Sequence, residues 1–289
     1  MSPVLLKTIE SGTRVFGRGQ ASVLHFSSRA VNFEFDDAVV TLLTKSGVVS
    51  PSSVVVDTNS FPMVTTARVV GDVFITDAFR VELGNFRDLG IHERVPVDKK
   101  WVARMMAPYI FARERGISTA LLMTTGREYQ LSGFEKEVAE RQQQALELSE
   151  DLPGLAQGLL GLGFGLTPSG DDFVLGMIAM GRLLGEDVER LRPIIEDYDN
   201  PFSRTILKDA LDGYYSEPVY QLLRAVIDGS LDKTHITRLI KVGNSSGQDA
   251  LAGMFYSLGL NGELCSYPHI SDYEQPLLSK RRLVTKPRR

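Results

Sequence analysis

The sequence predicts an α+β protein with a β-rich N-terminal part, an antiparallel sheet or small barrel, followed by a mainly helical C-terminal part. Three observations carry this reading. Up to about residue 96, short β-branched and aromatic runs alternate with turn signals. Beyond that point, long segments rich in Ala, Leu, Glu, Gln and Arg take over. Nowhere do strands and helices alternate for long enough to build a doubly wound dinucleotide fold.

In the front part, Ala30-Val-Asn-Phe-Glu-Phe35 alternates apolar and polar residues, as a strand with one buried face does. Val54–Val56 and Val73–Ile75 are compact strand candidates, separated by the turn signals Lys45–Gly47, Ser50–Ser53 and Gly71–Asp72. In the back part, Lys99–Arg115 places Trp101, Met105, Met106 and Ile110 at helical spacing, with Pro108 as a kink or boundary. Phe134–Ser149, Phe173–Leu184, Ser203–Gly213, Pro218–Asp228 and Asp249–Leu260 read as further helices. Phe173–Leu184 is apolar all round and therefore enclosed. The expected division is a β-rich domain over residues 1–98, a helical domain over 99–275 and a basic, solvated tail over 276–289.

A 289-residue chain is long enough for a sizeable core. Its formal charge of −4 gives no support to nucleic-acid or acidic-membrane binding. The single cysteine, Cys265, excludes an internal disulfide and a thiolate zinc cage. No signal peptide is visible, and the most apolar run is too short to span a bilayer, so a cytoplasmic location without membrane partners is expected. The histidines His25, His92, His235 and His269 lack metal-ligand spacing, and neither a nucleophile elbow nor a complete dinucleotide or P-loop motif is present. Arg80, Arg87 and Arg94 recur at seven-residue intervals and are read as surface positions.

The chemistry concentrates in Gly161-Leu-Gly-Phe-Gly-Leu-Thr-Pro-Ser-Gly-Asp-Asp172, immediately ahead of the apolar helix. A glycine-rich loop entering a helix start offers backbone N–H donors to a small anion. The expected anion-binding residues are Gly163, Gly165, Thr167, Ser169 and Gly170. Asp171 and Asp172 repel a bare anion, so they need separate work: catalysis as general base, orientation of an amide, or holding a divalent cation such as Mg²⁺.

The segment Ser169–Met177 recurs as Ser246–Met254, with Ser, Gly, Asp, Gly and Met in matching places. Ser169 and Ser246 read as N-caps, with Asp172 and Asp249 three residues on in a capping-box arrangement. If the two helix starts face one cleft, Ser246, Gly247 and Asp249 join the same site as Asp172.

Gly161–Gly176 resembles the signature of the AllH-type family of bacterial proteins, named for a subunit of oxamate carbamoyltransferase in allantoin degradation. Gly161, Gly163, Gly165, Leu166, Thr167, Pro168, Ser169, Gly170, Asp171, Asp172 and Gly176 meet the pattern, while Phe164 stands where the family more often has proline. Ser203, Leu207, Ala210, Gly213 and Glu217, and Ser246-Gly247-x-Asp249, extend the similarity. The resemblance implies partner protein subunits, one resembling an acyl-CoA synthetase, and carbamoyl transfer between an oxamate- or oxalurate-type amide and phosphate. Carbamoyl phosphate, phosphate and oxamate-like anions are the substrates it implies. It also turns Asn200 and Ser203, otherwise an N-cap signal, into ligand contacts. The competing reading is a non-catalytic subunit that binds a metabolite or scaffolds an acyl-CoA-synthetase-like complex.

Overall fold

The computed structural model describes residues 4–15, 19–36, 38–110, 116–117 and 130–259. The end of the helix anticipated over Lys99–Arg115, Cys265, His269 and the basic tail lie outside the described residues. Among the described residues ten strands make one sheet: β1 (Val4–Leu6), β2 (Thr8–Gly12), β3 (Gly19–Phe26), β4 (Ala30–Glu34), β5 (Val39–Thr44), β6 (Ser53–Val56), β7 (Thr66–Val70), β8 (Val73–Thr76), β9 (Phe79–Glu82) and β10 (Phe86–Arg87). Their spatial order is β1-β9-β8-β7-β3-β4-β5-β6-β2-β10.

That order forces the sheet to curl. Lys7 alone separates β1 from β2, and one residue spans only about 3.5 Å, yet the two strands lie towards opposite ends of the order. The edges therefore meet. At the seam, Thr8 Oγ1 donates to the Glu82 carbonyl, the Asn85 side chain donates to the Ile9 carbonyl at 3.1 Å, and Ser11 N–H donates to the Asn85 carbonyl at 3.3 Å. Alternate residues point inward: Val31 and Phe33, Val40 and Leu42, Val54 and Val56, Phe79 and Val81 form the barrel core. Phe33 meets Phe74 edge-on at 5.0 Å, and Phe61 stacks on Phe79 at 5.6 Å.

Three pairings, β1–β9, β2–β10 and β5–β6, are parallel, so the sheet is mixed and not purely antiparallel. Lys45–Gly47 and Ser50–Ser53 shape a crossover between β5 and β6, because parallel neighbours cannot be joined by a tight hairpin. The one-sided alternation expected for Ala30–Phe35 also gives way. Asn32 is buried on the outer face, where Thr41 Oγ1 donates to it at 2.8 Å. Gly71 behaves as anticipated, with φ of +57° in the β7–β8 turn.

The helical part contains α1 (Lys99–Ile110), α2 (Gly133–Leu148), α3 (Leu152–Leu159), α4 (Ser169–Leu184), α5 (Arg192–Glu196), α6 (Pro201–Leu211), α7 (Glu217–Ile227), α8 (Lys233–Ile240) and α9 (Ser246–Ser257). Local signals explain their starts. Asp151 caps α3, Asn200 caps α6 ahead of Pro201, and Asp232 caps α8. Ser132 and Glu135 form a capping box on α2. Helix α1 continues through Pro108 to Ile110, so that proline sits inside the helix and does not end it. Among the described residues no helix is long and apolar enough to cross a membrane.

Helix α6 ties the sheet to the helices. Thr205 Oγ1 accepts from Val39 N–H at 2.9 Å, and Asp209 accepts from Ser52 Oγ at 2.8 Å and pairs with Arg14 at 2.7 Å. Arg14 also pairs with Asp212, and Arg87 joins Glu10 of β2 to Glu217 at the start of α7. Burial pushes the Asp209 carboxyl up to about 6, against the pull of Ser52 and Arg14. The folded carboxyl then holds its proton more tightly than the unfolded one. Its contribution to stability is complete below pH about 4 and is lost as pH rises through about 6, on the order of 3 kcal/mol. Asp209→Asn is expected to remove this part of the dependence. Melting temperatures measured from pH 4 to 7 should fall more steeply for the parent than for the variant, and parallel curves would contradict the assignment.

Candidate functional site

Two helix–loop–helix units of one design build the site: α3 with α4, and α8 with α9. In the first, Leu162 N–H donates to the Leu159 carbonyl and Gly170 N–H to the Leu162 carbonyl. In the second, Val242 N–H donates to the Leu239 carbonyl and Gly247 N–H to the Val242 carbonyl. A Cβ on Gly170 would lie 1.8 Å from the Leu159 carbonyl oxygen, and one on Gly247 would lie 1.8 Å from that of Leu239. Gly163, at φ +126°, rests against Ser169, and Gly243, at φ +62°, rests against Ser246. The sequence echo is therefore an echo of structure. The first loop is longer, and its extra residues project Phe164 and Leu166 to the surface.

The two units cross through their glycines. A Cβ on Gly176 would stand 1.9 Å from the Ala250 carbonyl oxygen, and one on Gly253 would stand 1.9 Å from that of Phe173. Phe173 and Ala250 hold matching places in the repeat, so the contact is reciprocal. This crossing brings both helix starts together: Thr167 Oγ1 lies 3.3 Å from Ser246 Oγ.

The capping boxes anticipated here are absent. Pro168 and Ser245 occupy the cap positions without side-chain bonds, while Ser169 and Ser246 are the first helical residues. Asp172 and Asp249 turn into the interface between the units instead. Asp249 is fully buried, and its Oδ1 accepts Ile117 N–H at 2.8 Å. Gly116, at φ +71°, leaves room for that carboxyl, which a Cβ would meet at 2.2 Å. Burial raises the Asp172 carboxyl well above the ordinary range. The charge of Asp249 raises it further, while the Ser246 and Thr167 hydroxyls pull it down. Asp172 Oδ2 has no hydrogen-bond partner among the described residues.

Asp171 has a different environment. Gly161 N–H donates to its Oδ1 at 2.8 Å, and the Tyr198 hydroxyl donates to its Oδ2 at 3.0 Å. Burial raises its pKa against these donors and the Ser203 hydroxyl. Its counterpart in the second unit, Gln248, similarly donates to the Ile110 carbonyl at 3.2 Å. Adjacent residues on a helix point about 100° apart. Asp171 and Asp172 thus diverge, and they do not fit a divalent cation held between them. Among the described residues no three His, Cys, Asp or Glu side chains gather as a metal site.

In front of the helix starts lies a cleft of about 490 Å³. It is lined by Gly163–Thr167 and Ser169 of the first loop, by Asn244–Ser246 and Gly116, and by Glu135, Val138, Ala139 and Gln142 of α2. Phe134 of α2 meets Phe164 of the loop at 4.8 Å across the rim. Thr167 and Ser246 line the cleft, whereas Asp172, Asp249 and Asp171 lie outside its lining, with Asp172 next to those two hydroxyls. The N–H groups of Gly170, Asp171 and Asp172 are already used within the backbone. Those of Gly163, Phe164, Gly165 and Thr167 donate to no acceptor among the described residues. Available donors therefore lie in the loop and at the first helical residues, Ser169 and Ser246, and not in the turn that follows. Positive φ at both Gly163 and Gly165 suits such a concave run of N–H groups.

Asn200 and Ser203 sit behind the loop. Asn200 Oδ1 caps α6, its Nδ2 donates to the Leu166 carbonyl at 2.9 Å, and Ser203 Oγ donates to the same oxygen at 3.4 Å. Gly247 supports close packing on α8. Sequence reasoning missed Gln142, Gly116, Asn244 and Ser245. Gln142 had a readable signal: it is a polar residue in the stripe formed by Ala139, Ala145 and Leu146.

No solved structure matches the chain. Residues 159–258, about a third of the chain, match the sequence model of the family described as oxamate carbamoyltransferase subunit AllH, which bears out the resemblance carried by Gly161–Gly176.

Proposed function

We propose that this chain is a subunit of a carbamoyltransferase and that the cleft before α4 and α9 binds its small anionic substrate. The observation that carries this reading is the span of the family match. It runs from the last residue of α3 to just beyond α9, and so contains both helix starts and the loop between α3 and α4. The reaction is carbamoyl transfer between oxalurate and phosphate, with partner subunits completing the assembly. A phosphate oxygen attacks the ureido carbonyl carbon, a C–O bond forms, and the C–N bond breaks. The nitrogen leaves with a proton as oxamate, and carbamoyl phosphate is the other product.

Each step has a group suited to it. The unengaged loop N–H groups offer stabilisation to charge developing on the carbonyl oxygen. The departing nitrogen needs a proton. Asp172 keeps its proton to higher pH than an ordinary carboxyl, and Thr167 and Ser246 stand between it and the cleft. The hydroxyl pair is the relay. Asp171, Asn200 and Ser203 hold the loop in position.

The second reading, a non-catalytic metabolite-binding or scaffolding subunit, draws on the absence of Asp among the described residues that line the cleft. The double substitution Thr167→Ala with Ser246→Ala separates the two. In the complex reconstituted with its partner subunits, oxalurate phosphorolysis is expected to fall by about 100-fold or more while oxamate still binds. Turnover within about twofold of the parent would sink the relay and favour the non-catalytic reading.

A further inference from the structure

Gln142 is the least satisfied polar side chain beside the cleft. It is 1 % exposed, and neither its Nε2 nor its Oε1 has a hydrogen-bond partner among the described residues. Its neighbours on α2, Val138 and Ala139, offer no polar side-chain atom, and all three residues line the cleft. A buried amide left without partners destabilises the protein, whereas an apolar residue of the same shape would not. Packing therefore gives no reason for glutamine at this place. No described residue supplies its counterpart polar group, and a ligand in the cleft is placed to do so.

The geometry points to Gln142 as the residue that reads the substrate's amide. This inference rests on the proposed carbamoyltransferase site and names the group that selects its substrate. A side-chain amide presents a donor and an acceptor side by side. It is matched by a ligand group that presents an acceptor and a donor side by side, as a carboxamide or ureido group does. A carboxylate or phosphate satisfies Nε2 but sets oxygen against Oε1. Loop N–H groups that line the same cleft suit the anionic end of the same molecule. Gln142 and the loop together thus fit a short molecule with an amide at one end and a carboxylate at the other. Discrimination against the dicarboxylate follows, because a buried polar site rejects an analogue that leaves its groups unpaired.

Titration calorimetry of the full chain with its partner subunits, using oxamate and oxalate as probes, tests the assignment. The parent is expected to prefer oxamate by about 10-fold or more. Gln142→Leu is expected to abolish that preference, mainly by weakening oxamate, with a melting temperature equal to or above the parent's. Gln142→Met serves the same purpose should the leucine variant fail to fold. A parent that binds both probes equally overturns the proposal, as does a variant that keeps the preference. If the preference survives in the variant while the Thr167→Ala, Ser246→Ala pair loses turnover, the role of Gln142 fails and the carbamoyltransferase reading stands. A parent that binds neither probe overturns both.

Discussion

Gly176→Ala and Gly253→Ala are each expected to lower stability by about 3 kcal/mol or more. The added methyl group would fall 1.9 Å from a backbone carbonyl oxygen on the facing helix. Contact between carbon and oxygen needs more than an ångström beyond that, and the obstacle is main chain, which cannot swing aside. Helices α4 and α9 must then separate, and their buried residues, including Phe173, Met177, Leu251 and Met254, lose the contacts that close packing provides. A fall in melting temperature of roughly 6 °C or more is the expected reading. Because both glycines act at one crossing, the double variant should cost less than the sum of the singles. Single variants melting within about 2 °C of the parent would show that the helices do not cross here.

Asp172→Asn is expected to have the opposite signature, losing activity without losing stability. The carboxyl is buried, beside the charge of Asp249, and one of its oxygens lacks a partner. Both burial and Asp249 raise its pKa, so ionised Asp172 costs the folded state free energy as pH rises above the ordinary carboxylate range. Asparagine removes that cost at similar shape. Melting temperature at neutral pH should hold or rise, and the gap to the parent should shrink towards pH 4. Such a gain on removing a functional group is the usual mark of a site held against stability. A clear fall in melting temperature at neutral pH would instead make Asp172 a structural residue.

Much of this was legible in the sequence, for reasons particular residues make plain. The enclosed helix Phe173–Leu184 was legible because it is apolar all round, and the repeat because Ser, Gly, Asp, Gly and Met recur at fixed spacing. The glycines of the repeat foretold close helix approach, and the structure assigns it to Gly176 and Gly253. A small barrel was one of the two arrangements expected for the front part, but the choice between them was not legible, since closure depends on Lys7 and Asn85 bringing together strands remote in the sheet order. The roles of the two adjacent acids were not legible either. Asp171 and Asp172 look alike in sequence, but a one-residue step around a helix gives one to the Gly161 turn and the other to the second unit. Nor could Ser169 be told from a cap, because Pro168 takes that position.

In the proposed mechanism the hydroxyls of Thr167 and Ser246, backed by Asp172, work on the substrate in this cleft. Steady-state phosphorolysis of oxalurate by the complex reconstituted with Asp172→Asn measures that role. A fall in kcat of about 100-fold or more, with KM little changed and the complex intact, is the result expected. A kcat within about twofold of the parent's would contradict it.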